Sequence, residues 1–142
     1  MNTKRINAYL SLLRIFAKNS TMSHRHAAML FRNKQTFMGY NNERSYIQNK
    51  IVPSIHAEMD VIHRTRWVKD IRKYSMIVIR INKNGKMCNS KPCCKCIESL
   101  KVHKVKNIYY SNADGEIICE KTKNITNDHS SSIYKVCEQH LR

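Results

Sequence analysis

Two short segments contain the residues that could carry out chemistry, His56-Ala57-Glu58 and Pro92-Cys93-Cys94-Lys95-Cys96. They offer one imidazole, a carboxylate two residues further on, and two thiols in the spacing C-x-x-C. Imidazole nitrogen and cysteine sulfur are donors that Zn2+ prefers, and three protein donors leave a fourth tetrahedral position for water. The pattern therefore predicts a zinc site formed by His56, Cys93 and Cys96.

The carboxylate of Glu58 has a different predicted role. Zinc lowers the pKa of a bound water, and a carboxylate beside that water can take up a proton and pass it on. We therefore predict Glu58 as the catalytic proton carrier. The alternative is a closed structural site, which needs a fourth protein ligand. For that ligand Cys88 is a better candidate than Cys94, because Cys94 directly follows Cys93.

Both segments start predicted helices, which would position the ligands. Pro53-Ser54 precedes a helical pattern, and a second helix is expected from Cys93 to about His103. Helix N-termini favour thiolates, so two of them at one metal would stabilise the site. The segment 75–81 is nearly continuously apolar, which predicts a central strand between the two helices.

The remaining periodicities predict an α/β chain with a mixed sheet. Asp114-Gly115 is too short a turn for a crossover, so the last two strands must be antiparallel. We expect Phe31, Phe37 and Trp67 in the core. The other predicted elements are a helix over residues 3–18, a hairpin of strands 27–31 and 36–40, a polar loop over 41–52, strands 106–111 and 116–120, and a final short helix within 130–137.

Composition narrows the class of protein. We expect a single domain over residues 1–142, with no membrane span and no signal peptide, in the cytoplasm. Six cysteines in a reducing compartment favour metal binding over disulfides. Lys and Arg number 26 against 10 Asp and Glu, a net charge of +16. This charge favours polyanions as partners, although the basic residues are spread along the chain.

Together these residues resemble the zinc-dependent cytidine and deoxycytidylate deaminase superfamily over about residues 27–120. Gly39-Tyr40-Asn41-Asn42-Glu43 is similar to the G-x-N-x-E segment of cytidine deaminases, and Ser90-Lys91-Pro92-Cys93 to their S-x-P-C approach. The resemblance implies a three-layer α/β/α sandwich on a mixed five-stranded sheet. Antiparallel final strands are typical of the nucleoside deaminases.

The resemblance also implies functions for individual residues. Asn41 and Glu43 would bind the sugar, Ala57 would lie under the base, and the backbone carbonyl of Lys91 would accept a hydrogen bond from the departing amino group. The implied reaction is hydrolytic deamination of a cytosine-type nucleoside or nucleotide to the uracil form with release of ammonia. The cofactor would be Zn2+, and the protein would be a homo-oligomer.

Two other functions stay open. The charge fits a deaminase that edits RNA or single-stranded DNA, and a zinc-binding module without catalytic activity would keep the same ligands. The basic segment from Arg64 to Lys73 either contacts phosphates or extends a helix into solvent. The pair His24 and His26 could bind a metal, but nothing in the sequence places it near the site, so we expect surface histidines.

Overall fold

The computed structural model describes residues 3–20, 24–41, 45–47, 50–52 and 56–127. Its elements, in chain order, are α1 (Thr3–Ala17), β1 (Arg25–Arg32), β2 (Gln35–Tyr40), β3 (Ser45–Ile47), β4 (Lys50–Val52), α2 (Ala57–Arg64), a 3-10 turn (Ile71–Lys73), β5 (Ser75–Ile81), α3 (Cys94–Val102), β6 (Asn107–Ser111) and β7 (Ile117–Lys121).

Five strands form one mixed sheet in the order β2-β1-β5-β6-β7. β1 pairs antiparallel with both β2 and β5, whereas β5 and β6 are parallel and joined through α3. β6 and β7 are antiparallel, with Asn107 opposite Lys121. The apolar segment 75–81 is the central strand, as predicted, and the antiparallel ending is confirmed.

Each face of the sheet is covered by helix. On one face, α1 packs its buried side chains Tyr9, Leu13 and Ala17 against odd-numbered residues of β1 and β5. On the other face, α2 and α3 cover the even-numbered residues, such as Ala28 and Val78. Since successive strand residues point to opposite faces, each of these strands contributes side chains to a hydrophobic core on either side of the sheet. The predicted three-layer α/β/α sandwich is confirmed.

A hydrogen-bonded turn determines the antiparallel ending. The side-chain oxygen of Asn112 accepts from the backbone N–H groups of Asp114 (3.0 Å) and Glu116 (2.9 Å). Gly115 has φ of +80°, a conformation that glycine adopts without steric cost. The chain therefore reverses within a few residues and β7 returns beside β6.

Several expectations were wrong in detail. Residues 41–52 were expected to be loop throughout, but they contain the antiparallel pair β3 and β4, strands too short to show a periodicity. α2 does not continue through the basic segment 64–73. It ends at the first residue of that segment, Arg64, and the hydroxyl of the next residue, Thr65, donates to the Val61 carbonyl at 2.7 Å.

Trp67 is also a correction, since it is 67% exposed and not in the core. Its indole N–H donates to the Arg64 carbonyl at 3.1 Å, which satisfies a carbonyl at the end of α2. Phe31 is buried, and Phe37 is partly buried against the α2 side of the sheet. The predicted final helix lies outside the described residues. Among the described helices, none is long and apolar enough to cross a membrane.

Candidate metal centre

The two predicted ligand segments meet at the N-termini of α2 and α3. His56 and Cys93 are the residues immediately before these helices, with extended backbone, and each carbonyl accepts the first helical hydrogen bond at 2.9 Å. Cys96 lies in the first turn of α3 on its buried side. Both helix N-termini therefore face the same place, and their partial positive charge favours anionic ligands there.

The donor atoms of His56, Cys93 and Cys96 all lie within 4.8 Å of one another. His56 Nδ1 is 3.4 Å from Cys96 Sγ and 3.9 Å from Cys93 Sγ. Tetrahedral zinc with ordinary bond lengths needs nitrogen–sulfur separations of about 3.6 Å. These three side chains therefore fit a zinc ion, and the donor set is the one predicted from the spacing.

The electrostatic surroundings of His56, Cys93 and Cys96, which we call the ligand trio, also suit a cation. A hydrogen bond from Cys96 lowers the pKa of Cys93 to about 3, although burial opposes this, and His56 lowers it further. Burial alone would lower the pKa of His56, but Cys93 and the charge of Glu58 outweigh it and raise that pKa above 6.5. Cys93 is therefore a thiolate, the form that ligates metals.

Glu58 is the second residue of α2 and is only 3% exposed. Its Oε1 has no hydrogen-bond partner among the described residues, which is unusual for a buried carboxylate oxygen. Burial raises the pKa of Glu58, while neighbouring His56 partly offsets the effect. A buried carboxyl group with a free oxygen beside the ligand trio can accept and release a proton. The role itself stays a prediction.

Cys88 does not join the cluster. Its thiol donates to the Lys86 carbonyl at 3.5 Å, and the metal-binding group found among the described residues contains only His56, Cys93 and Cys96. Within the described part of the chain no fourth protein ligand joins the three, and three protein ligands are the arrangement of catalytic zinc sites.

The strand β2 positions α2 and its ligand. A Cβ built on Gly39 would lie 2.7 Å from the Val61 backbone nitrogen, so only glycine permits this approach. Beside it, the buried carboxylate of Asp60 accepts from the Tyr40 backbone N–H at 3.0 Å and pairs with Arg64 at 3.0 Å. α2, which begins directly after His56, is thus held against the sheet.

A buried pair of serines positions Cys93. Ser90 Oγ donates to the Val78 carbonyl and accepts from the Ser111 backbone N–H, both at 2.7 Å. Ser111 Oγ donates to the Cys88 carbonyl at 2.6 Å. The loop that approaches the first thiolate is therefore fastened to β5 and β6.

The predicted substrate-binding residues are placed as follows. Ala57 is fully buried at the start of α2, and Lys91 is partly buried next to the metal-ligand helix. Asn41 is buried, and its amide accepts from His26 N–H at 2.9 Å and donates to the His24 carbonyl at 2.8 Å. Glu43 lies outside the described residues. All four roles stay predictions.

His26 was not identified from the sequence as a residue near the site. Strand alternation puts it on the face of Ala28, towards α2 and α3, and opposite Arg80 on β5. It is only partly exposed. Burial first, then the charges of Arg80 and His56, lower its pKa to about 3, so it is neutral. Nothing in the sequence placed His26 near His56, and the expectation that it is a surface histidine is wrong. Side chains alternate between the two faces of the sheet along β1, and this alternation could have placed His26 on the same face as Ala28.

Arg80 contributes a cation to the same neighbourhood. Its Nη2 donates to His24 Nδ1 at 2.8 Å, while its buried Nε has no partner among the described residues. The end of the sheet beside the ligand trio therefore carries an arginine flanked by two histidines.

Solved structures with the same architecture exist. The cytidine deaminase from Burkholderia pseudomallei matches 92% of this chain and 100% of its own, with a TM-score of 0.64 at 13% identity. The dCMP deaminase from the cyanophage S-TIM5, solved with dCMP and dUMP, matches 79% of this chain and 84% of its own (TM-score 0.58, 17% identity). The chain has the cytidine deaminase fold. The predicted resemblance is confirmed at that level.

The cytidine deaminase from Mycobacterium leprae is also similar, with a TM-score of 0.50 and 16% identity over 79% of this chain and 88% of its own. No protein-family model matches the sequence, and no curated protein matches it. The similarity is thus one of fold, and the chemistry has to be argued from the site.

Proposed function

We propose that this protein is a zinc-dependent hydrolytic deaminase that converts a cytosine-type nucleoside or nucleotide to the uracil form. The observation that carries the proposal is the convergence of the three donor atoms within 4.8 Å, beside a buried Glu58 with an unpartnered oxygen. The cytidine deaminase fold supports it, because solved proteins with this architecture include a cytidine deaminase and a dCMP deaminase.

The ligand trio and Glu58 divide the chemistry between them. Zinc held by His56, Cys93 and Cys96 would supply a Lewis acid that lowers the pKa of water. Glu58 takes one proton from that water and delivers it to the ring nitrogen next to the amino group. It then transfers the second proton to the departing amine. One water is consumed, a C–O bond forms at the carbon that carries the amino group, the C–N bond there breaks, and one ammonia leaves.

Substrate contacts follow from the resemblance. We propose that the base lies over Ala57 and that the Lys91 carbonyl accepts from the amino group. Asn41 and Glu43 would bind the sugar.

The test is ammonia release from cytidine, deoxycytidine and their monophosphates by zinc-loaded protein. Glu58→Gln keeps the shape of the side chain, so we expect normal zinc content and folding with turnover reduced by about 100-fold to 10,000-fold. Glu98→Gln removes the same charge from an exposed position on α3, where the side chain is 70% exposed, and should leave turnover unchanged. No ammonia from any of the four substrates, at full zinc occupancy, would refute the proposal.

A further inference from the structure

A concave surface lies at the end of α3 opposite the metal ligands. This lysine groove has a volume of about 560 Å³ and is lined by Lys101, Lys104, Val105, Lys106, Asn107, Lys121, Thr122 and Lys123. Five of its eight lining residues are lysines and none is acidic. The groove is therefore a concentrated patch of positive charge with a defined shape.

The tertiary structure assembles these lysines from separate elements. Lys101 belongs to α3, Lys106 directly precedes β6, and Lys121 ends β7. The Thr122 backbone N–H donates to the Lys106 carbonyl at 3.3 Å, which holds the two strand ends together. The end of a helix and two adjacent strand ends thus converge on one groove.

Structural needs of the fold explain only part of this charge. Lysines near a helix C-terminus stabilise the helix dipole, which accounts for Lys101 and Lys104. It does not account for Lys106, Lys121 and Lys123. Among the described residues the ion pairs are Arg64–Asp60 and Lys95–Glu98, so none of the five groove lysines has a carboxylate partner there. Their clustering raises the local positive potential, which attracts anions to the groove.

Thr122 gives a second, independent indication of a ligand. It lines the groove, is only 2% exposed, and its hydroxyl has no hydrogen-bond partner among the described residues. Buried hydroxyls are nearly always paired, and a phosphate oxygen entering the groove would provide the missing acceptor after a small adjustment.

We propose that the lysine groove binds the phosphate backbone of a nucleic-acid strand. Five cations with no acidic residue among them match the several phosphates of a strand better than a single phosphate. The groove lining has no aromatic residue for base stacking, so the contact is independent of nucleotide sequence. The surface is concave, which suits a strand better than a flat membrane.

The test is binding of a fluorescent single-stranded oligonucleotide by the full chain over a range of salt concentrations. In single strands each neutralised phosphate contributes ~0.7 to the slope of log affinity against log salt. The triple variant Lys106→Gln, Lys121→Gln, Lys123→Gln should therefore lower the slope by about 2 and weaken binding about 100-fold at 0.1 M salt. Thr122→Val should weaken binding about 5-fold without changing the slope.

The matched control removes three exposed lysines elsewhere, at Lys4, Lys18 and Lys34. It has the same net charge as the groove variant and should bind the oligonucleotide like the wild type. Equal losses in both triple variants would overturn the proposal, as would binding to phosphatidylserine vesicles with none to the oligonucleotide. Ammonia release from free nucleosides should be unchanged in all these variants, so the result is separate from that of the deaminase test.

Discussion

Replacing Gly39 by alanine should distort the metal centre, although Gly39 is not one of its ligands. The added Cβ would lie 2.7 Å from the Val61 backbone nitrogen, 2.9 Å from Asp60 Oδ2 and 3.1 Å from the Ala57 carbonyl oxygen. Ordinary contacts begin at 3.4 Å, so strand and helix must separate by about 0.7 Å, the difference between 3.4 and 2.7. Two of the three atoms are backbone, and no change of rotamer removes those clashes.

Two consequences follow for the Gly39→Ala variant. Overpacking of this kind costs about 2 kcal/mol, and at roughly 4 °C per kcal/mol for a chain of this size the Tm should fall by about 8 °C. α2 begins directly after His56, and ligand distances tolerate shifts of only ~0.2 Å, so zinc affinity should fall at least about tenfold. Thermal unfolding followed by circular dichroism and zinc competition with a chelating dye measure the two effects.

Gly85→Ala is the matched control for this experiment. Gly85 has φ of +79°, so alanine there is strained, but its Cβ would meet nothing within 4 Å. We expect about 1 kcal/mol of lost stability and unchanged zinc affinity. Wild-type zinc affinity in Gly39→Ala, or an equal loss of zinc affinity in both variants, would refute the link between the close approach of β2 to α2 and the geometry of the zinc ligands.

Three further outcomes are expected. The partly exposed His26 has a pKa of about 3 in the folded state against 6.5 when unfolded, so stability is lost as the pH falls from 6.5 towards 3. The loss between pH 7.5 and 5.5 is about 1.4 kcal/mol. In urea titrations the free energy of unfolding of His26→Gln should lack this part of the pH dependence. An identical pH dependence in the variant and the wild type would contradict the role of His26. Ser90→Ala leaves the Val78 carbonyl and Ser111 N–H buried and unpaired, so its urea midpoint should report a loss of about 2 kcal/mol; exposed Ser11→Ala serves as control. Free zinc at 100 times its Kd should stabilise the protein by about 3 kcal/mol, removable by chelation. Cys88→Ser should keep that response and Cys93→Ser should lose it, whereas the reverse pattern would make Cys88 the ligand.

The approach of Cys93 to Cys96 was predictable because its determinants are local. The C-x-x-C spacing puts both thiols on one side of a helix start whatever the rest of the chain does. The antiparallel ending was predictable for a similar reason, since the Asp114-Gly115 turn leaves no room for a crossover. The strand over residues 75–81 was evident because burial on both faces requires a nearly continuous apolar segment.

Exposure and pairing across the sheet were not predictable. Trp67 is a large apolar side chain that apolar content alone assigns to the core, yet it is exposed at the end of α2. His26 faces the metal ligands only because β1 lies antiparallel to β5 in the register that sets His26 opposite Arg80. A shift of that register by one residue would have pointed it to the α1 side.

Local spacing and turn length thus indicated the cysteine pair, the central strand and the direction of the last strand, because each depends on neighbours a few residues apart. His56 lies 37 residues before Cys93, and only the fold brings the two together. The tertiary structure decided which distant residues share a surface. It brought Gly39 against α2, His26 and Arg80 beside the ligands, and lysines from α3, β6 and β7 into one groove. These contacts depend on strand order and register, which no single segment of the chain encodes.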